Sequence, residues 1–571
     1  MQDLYTAAGE TLSGTPWNVY PRPQMRRDSF YNLNGKWDFT VTNGEVPAVY
    51  DRTILVPFAP ESLLSGVHER FDESKTLWYR RTFTLPQGFV KDRVLLHFGA
   101  VDQVAEVFVN GKKVCDHASG YHAFSADITD VLAAENTLVV RVEDHLSDCI
   151  LPYGKQCRKR GGMWYTPVSG IWQTVWLESV PEKYIEKLII DTEGDTVRIS
   201  VVGTERATVT VGDITAPIEN CFVKIKLPSP HFWSPEDPYL YAFTVTAGED
   251  RVESYFALRD LSVEEFCGIP RLCLNGTPYF FNGVLDQGYY SDGLFTPAVP
   301  EEYERDILRM KQLGFNMLRK HIKVEPERFY YDCDRLGMVV FQDMVNNGKY
   351  NFFRDTALPT VGFKRFPTVF RHVTKEMRTA FAAEMERTVT QLYNHPSICY
   401  WTVFNEGWGQ FSAAEMHRLL FLQDCSRFID TTSGWFTTDA TDVDSRHVYF
   451  RKVKLHAGKK PLVLSEFGGY TWNPEGHVFN PEKTYGYKQF ADREAFVSAL
   501  QSLYRDEILP CVEQGLCAAV YTQLSDVEDE TNGLVSYDRK VEKVLPAELA
   551  PICEQLQRIC QNIPTNLGLT K

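Results

Sequence analysis

From about residue 265 the chain alternates short apolar strands with helices, and this alternation constrains the fold more than any other feature. Pro300-Glu301-Glu302 opens a helix, with proline early and acids in the first turn, and Gly314 closes it. Strand Phe315-Asn316-Met317-Leu318 follows. A second helix, from about Pro326 to Leu336, stops at Gly337 and leads into Met338-Val339-Val340-Phe341. A third, from about Lys375 to Tyr393, ends before His395-Pro396, where proline disfavours continuation, and strand Ile398 to Phe404 comes next. Strands joined by crossover helices lie parallel, and the length of this region fits a (β/α)8 TIM barrel. Two segments stand out: Thr402-Val403-Phe404-Asn405-Glu406-Gly407-Trp408-Gly409 and Leu462-Val463-Leu464-Ser465-Glu466-Phe467-Gly468-Gly469-Tyr470. Each is an apolar run that ends on a glutamate and breaks into glycines. A strand apolar on both faces belongs inside a parallel sheet. A carboxylate at its C-terminal end lies where such barrels keep their chemistry. Two such carboxylates are the equipment of glycoside hydrolysis, one a proton donor and the other a nucleophile or base.

The chain ahead of this region is β in character. Residues 1 to about 180 hold strand-like stretches such as Arg93–Phe98 and Val104–Val109, with the hairpin turn Asn110-Gly111. Two sheets packed as a jelly-roll β-sandwich suit this pattern. Residues 181–264 alternate in Thr196–Val201 and Ala207–Val211, as an immunoglobulin-like β-sandwich does. The expected organisation is multidomain β plus α/β, with a jelly-roll sugar-binding domain over 1–180, an immunoglobulin-like domain over 181–264 and a barrel over 265–571.

A net charge of −15 without a Lys/Arg block argues against nucleic acid and anionic membrane partners. No apolar run approaches the length of a membrane span. The N-terminus, Met1-Gln2-Asp3-Leu4-Tyr5-Thr6, has neither the basic nor the apolar region of a signal peptide. The 13 cysteines are scattered without metal or redox spacing and read as reduced thiols, so a cytoplasmic location is expected.

The two acidic segments resemble the motifs of glycoside hydrolase family 2, which contains β-galactosidases, β-glucuronidases and β-mannosidases. Asn405-Glu406 is similar to the family's acid/base motif, and Glu466, in Ser-Glu-Phe-Gly-Gly, to its nucleophile motif. The resemblance runs from Leu33-Asn34-Gly35-Lys36-Trp37-Asp38-Phe39 to Asn532-Gly533-Leu534 and includes Trp78–Phe83 and Gly162–Trp172, which resemble its N-terminal domain. It implies a retaining enzyme with Glu466 as nucleophile and Glu406 as acid/base.

Further candidates are read from strand ends. Asn405 is placed to bond a sugar hydroxyl, and Trp408 to wall the Glu406 carboxyl with apolar surface. Arg319, Tyr449 and Tyr470 are candidates to hold Glu466 ionised. His321, in Arg319-Lys320-His321, occupies a position resembling the family's histidine near the sugar, with tighter spacing. Asp286, Asp343 and His447 are further candidates for sugar binding. Phe436-Thr437-Thr438-Asp439 reads as the fifth strand, His447-Val448-Tyr449 as the sixth, and Gln523–Glu528 follows the eighth.

Metalloprotease, redox, nucleophile-elbow and phosphate-loop motifs are absent from the sequence, and no cofactor is expected. The family's magnesium-binding Glu-x-His is replaced after the third strand by Asp343-Met344-Val345-Asn346-Asn347, so metal independence is the default. The family's uronide-binding Asn-x-Lys after the eighth strand is also missing: the loop reads Asp529-Glu530-Thr531-Asn532-Gly533-Leu534. A β-galactoside is therefore the first expectation, with β-glucuronides and β-mannosides open. A non-catalytic carbohydrate-binding protein would be expected to lack a carboxylate, and both are present. The resemblance also implies a dimer or tetramer.

Overall fold

The computed structural model describes residues 1–360 and 373–562. The barrel range anticipated above thus includes two segments, 361–372 and 563–571, outside the described residues. The first β region packs a six-stranded antiparallel sheet on a four-stranded one. Alternate residues of Gly35–Thr42, Thr76–Phe83 and Asn136–Glu143 point inward, and Trp37, Phe39, Tyr79 and Phe98 fill the space between the sheets. The second packs a three-stranded and a four-stranded sheet around Val197, Ile199, Val209, Val245 and Phe256. A hairpin of Leu261–Phe266 and Ile269–Leu274 leads into the barrel.

The barrel strands are β1 (Phe281–Asp286), β2 (Met317–Lys320), β3 (Val339–Asp343), β4 (Ile398–Asn405), β5 (Phe428–Ser433), β6 (Asp444–Val448), β7 (Leu462–Gly468) and β8 (Leu516–Thr522). They form one parallel sheet in the order β5-β4-β3-β2-β1-β8-β7-β6. Strands β1, β3, β4, β7 and β8 are buried along their whole length, so aliphatic side chains are stable on both faces. The helices read from sequence are present at Glu301–Gln312, Glu327–Leu336 and Lys375–Leu392.

The fifth strand differs from its expected place. Phe436–Asp439 is loop, and β5 lies upstream, in Phe428-Ile429-Asp430-Thr431-Thr432-Ser433. This strand is wholly buried, yet four of its six residues are polar, so an apolar pattern cannot reveal it. Strands β5 and β6 carry no strand pairing between them among the described residues. The seam is crossed by Asp442 N donating to the Ile429 carbonyl at 3.0 Å, and near the mouth by side chains: Ser433 Oγ lies 3.1 Å from His447 Nε2 and 3.4 Å from Ser445 Oγ.

The loop Tyr153–Thr166 of the first domain lies against the C-terminal mouth. The Tyr153 hydroxyl donates to the Gly348 carbonyl at 2.8 Å, Arg160 pairs with Asp529 at 3.0 Å, and the Thr166 amide donates to Glu528 at 3.0 Å. One side of the mouth is therefore supplied by a β-sandwich.

Candidate active site

Arg319, on β2, is 1% exposed and reaches across the mouth. Its Nε donates to Asp343 on β3 at 3.0 Å and its Nη2 to the Asn405 side-chain oxygen on β4 at 2.9 Å. Its Nη1 donates to the Ser465 carbonyl at 3.0 Å and to Glu466 Oε1 at 3.1 Å, both on β7. A buried guanidinium has a large desolvation cost, which only charged and hydrogen-bonded partners offset. Here every side of the planar fork is engaged.

Glu466 is 5% exposed. Burial alone pushes its carboxyl up, but His447, Arg319, His321 and the Tyr449 hydroxyl outweigh it and hold the group down at about 2. Tyr449 donates to Glu466 Oε2 and lies 3.1 Å from the Thr522 hydroxyl. The carboxylate is thus ionised at neutral pH and directed into the mouth.

Glu406 follows β4 in a left-handed backbone conformation, φ 52°, that side chains rarely adopt. Its amide donates to the Ser433 carbonyl on β5 at 3.0 Å, and the turn aims the carboxylate inward. His447 Nδ1 lies 2.8 Å from Glu406 Oε1, and its Nε2 is 3.7 Å from Glu466 Oε1. The imidazole sits between the two acids. One oxygen of Glu406 and one of Glu466 lie within 4.8 Å of each other.

Asp343, proposed above for sugar hydroxyls, has both oxygens committed. Oδ1 accepts from Arg319, and Oδ2 bonds His321 Nδ1 at 2.8 Å. Burial lowers the His321 pKa and so favours its neutral form. Its Nδ1–H then donates to Asp343, which leaves Nε2 as an acceptor. Asp286 is likewise committed, to Lys320 Nζ at 2.6 Å and to the Gly288 amide at 2.9 Å.

Two expected residues lie elsewhere. Trp408 is buried, but the left-handed turns at Glu406, Gly407 and Gly409 swing it away from the Glu406 carboxyl. Its indole donates to the Gly348 carbonyl at 2.9 Å and packs edge-on against Tyr153 and Trp164. Trp435 lies instead beside His447. Gly468 and Gly469, at φ 85° and 72°, turn the chain outward after β7. Tyr470 therefore packs against Phe490, while Tyr487 stacks on Tyr449 at 3.9 Å.

Sequence reasoning passed over three contributors. Glu530 is buried after β8, accepting from the Tyr165 hydroxyl and from Asn532 at 3.0 Å. Burial pushes its carboxyl up, against the opposing pull of Lys155, and it is near enough to Glu466 to feel that charge. Lys155 is half-buried, with its ammonium 5.7 Å from the Trp164 ring centre, and makes no ion pair among the described residues. Tyr487 completes the set. No local pattern marks Lys155 or Tyr487, since neither lies at a strand end of the barrel; Glu530 carried a signal in its place after β8.

A parallel barrel with two facing carboxylates at its mouth, one held ionised in a hydrogen-bonded nest, belongs to the class of glycoside hydrolases. Three family models agree. A glycosyl hydrolase 2 galactose-binding domain-like model matches residues 63–156, the glycosyl hydrolases family 2 model matches 177–259, and that family's TIM barrel domain matches 270–545. The chain belongs to glycoside hydrolase family 2. A β-galactosidase of Thermoanaerobacter pseudethanolicus is 24% identical over 397 residues, covering 64% of this chain and 49% of the relative. The β-glucuronidase of Rattus norvegicus is 26% identical over 375 residues, covering 58% of this chain and 54% of the relative. The matches thus span about half the length of these relatives. A β-glucuronidase from an uncultured Clostridium shares the fold, with a TM-score of 0.73 at 18% identity over 95% of this chain and 99% of that one.

Replacing Arg319 by methionine strips Asp343 and Glu466 of their buried cation. A loss of ~3–5 kcal/mol in stability is expected, read as a lower urea midpoint. Lysine at this position should recover only part of it, because one ammonium cannot reproduce the fork that spans Asp343, Asn405 and Glu466.

Proposed function

We propose that this glycoside hydrolase is an exo-acting β-glycosidase that retains configuration through double displacement. The supporting observation is the approach of Glu406 and Glu466 to within 4.8 Å. So close an approach fits the ~5–5.5 Å between the carboxyl groups of retaining enzymes better than the ~6.5–9.5 Å of inverting ones. Glu466 attacks the anomeric carbon while Glu406 protonates the leaving oxygen. Glu406 then takes a proton from the water that frees the glycosyl enzyme. Asn405, its oxygen engaged by Arg319, offers its amide N–H to a sugar hydroxyl, and His321 Nε2 accepts from another. The first domain's loop closes one side of the mouth, which suits removal of a terminal sugar.

Two readings of the sugar each rest on a specific observation. A neutral hexoside, a β-galactoside first, is supported by the acids around the sugar position. The loop after β8 carries the buried carboxyl of Glu530, bonded by Asn532, and no lysine between Asp529 and Leu534. Lys320 is committed to Asp286 and Glu325, and Lys349 is exposed. A β-uronide is supported by Lys155, which has no ion-pair partner among the described residues and whose charge reaches His321 and Glu530. It is also supported by the names of similar proteins: seven relatives carry β-glucuronidase in their names against one named β-galactosidase, and the structural neighbours are named β-glucuronidases or β-galacturonidases. The names favour the uronide. The residues of this chain favour the neutral sugar, and they weigh more here because relatives at 24–26% identity do not fix the loops that hold it.

Glu466→Gln is expected to lower kcat/KM by on the order of 10⁴ while keeping the fold, since the change is nearly isosteric. Glu406→Ala should lose ~10²–10⁴-fold on glycosides with poor leaving groups but much less on p-nitrophenyl glycosides, with partial rescue by azide. Near-normal turnover by both variants on an unactivated substrate would overturn the assignment.

Tyr449→Phe removes a hydrogen bond to the ionised form of Glu466, so the nucleophile's pKa rises from about 2. The acid limb of kcat/KM should then move to higher pH by about one unit. The depressed pKa also contributes stability above about pH 4.3, which is lost as pH falls toward about 2; the variant should lose part of this contribution.

On matched p-nitrophenyl substrates the galactoside is expected to exceed the glucuronide in kcat/KM by about tenfold or more, because a uronate near Glu530 has a desolvation cost that Lys155 offsets only in part. A glucuronide preference that disappears in Lys155→Met would replace the first reading with the second.

A further inference from the structure

Beside Glu406 opens a cavity of about 430 Å³, on the side of the mouth where the leaving group of the proposed reaction must sit. Its walls are of another chemistry from those around Glu466. Among the described residues, eight of its nineteen lining residues are Phe, Trp or Tyr, Glu406 is the one carboxylate, and none is Asn or Gln. Tyr487 stacks on Tyr449, Phe450 meets Tyr487 edge-on at 5.3 Å, and Tyr485 meets it at 5.9 Å. Trp435 and Phe352 add further rings. Phe450 is 78% exposed and Phe352 66% exposed, so large apolar rings face solvent at a site meant to be filled.

A second sugar would bring several hydroxyls into this space. Each hydroxyl left without a partner costs ~1–3 kcal/mol. The Tyr350 hydroxyl is engaged by Thr356 at 2.6 Å, and that of Tyr449 by Glu466 and Thr522. Arg446 is paired with Asp444 at 2.7 Å. Arg451, Thr437 and the Tyr485 and Tyr487 hydroxyls remain on these walls, fewer and more scattered than the rings, while Asn405 and His321 lie outside this lining. A flat aromatic ring, in contrast, gains stacked and edge-on contacts on several walls at once.

We propose that this cavity is an aglycone subsite for a planar aromatic group, so that the preferred substrates are β-glycosides of aryl and arylalkyl alcohols rather than oligosaccharides. The inference rests on the proposed glycosidase reaction and adds the leaving-group class to it.

The test uses one sugar, the best found with p-nitrophenyl glycosides, joined to 2-phenylethanol, to 2-naphthylmethanol or to O4 of glucose. All three leaving groups are alcohols, so aryl activation does not favour the aromatic compounds. Both arylalkyl glycosides are expected to exceed the disaccharide in kcat/KM by about tenfold or more. Phe450→Ala, a change at an exposed ring, should bring that ratio down several-fold. A disaccharide cleaved as well as or better than the arylalkyl glycosides overturns the inference, and so does a ratio that Phe450→Ala leaves unchanged. No cleavage of any compound, p-nitrophenyl glycosides included, overturns the glycosidase reading and this inference with it.

Discussion

The guanidinium of Arg319 holds the barrel mouth together. It is charged at any physiological pH and is buried, so it is stable only with its anions in place. Those partners come from β3, β4 and β7, and Arg319 itself from β2. One side chain thus fixes the relative heights of four strands. With His447 beside Glu466, it helps hold two buried carboxyls below the usual carboxylate range, against burial. His321 is oriented by one of these acids, since Asp343 meets its Nδ1 with the oxygen that Arg319 leaves open. Asn405 is oriented as well, since Arg319 occupies its oxygen and leaves its N–H groups free to face the mouth.

The parts of this architecture legible in the sequence are those with local causes. Strands β3, β4 and β7 are apolar on both faces because both faces are covered, and a fully apolar short run records this directly. Glu406 and Glu466 were legible because an acid at the end of such a run needs a reason. Strand β5 was not, because its buried positions are filled by Asp430, Thr431, Thr432 and Ser433, which are stable only through partners on other strands. Trp408 misled for a related reason. Sequence adjacency to Glu406 suggested contact, but left-handed residues reverse the direction of successive side chains. The pairing of Tyr165 with Glu530 was hidden, although Glu530 itself lies in the loop after β8, because no local pattern records a contact between residues 365 positions apart.

The chain divides its labour by domain and by face. The barrel supplies charge at its strand ends, while the first β-sandwich supplies a wall. Within the mouth, the region around Glu466 is dense in committed hydrogen bonds, and the region beyond Glu406 is aromatic. Such a contrast lets one half of a ligand be held by direction and the other by area.

The seam between β5 and β6 gives the barrel a property that a closed ladder would lack. A split ring yields at its cut. Going one way round, Glu406 and Glu466 are joined by continuous backbone pairing through β3, β2, β1 and β8, braced by Arg319. Going the other way, the path leaves β5 and reaches β6 mainly through the hydroxyls of Ser433, Ser445 and Ser465 and the ring of His447. Side-chain hydrogen bonds bend at less cost than a backbone ladder. The gap between the two acids therefore has one side closed by a backbone ladder and one closed largely by side chains, with Glu466 held in its nest between them.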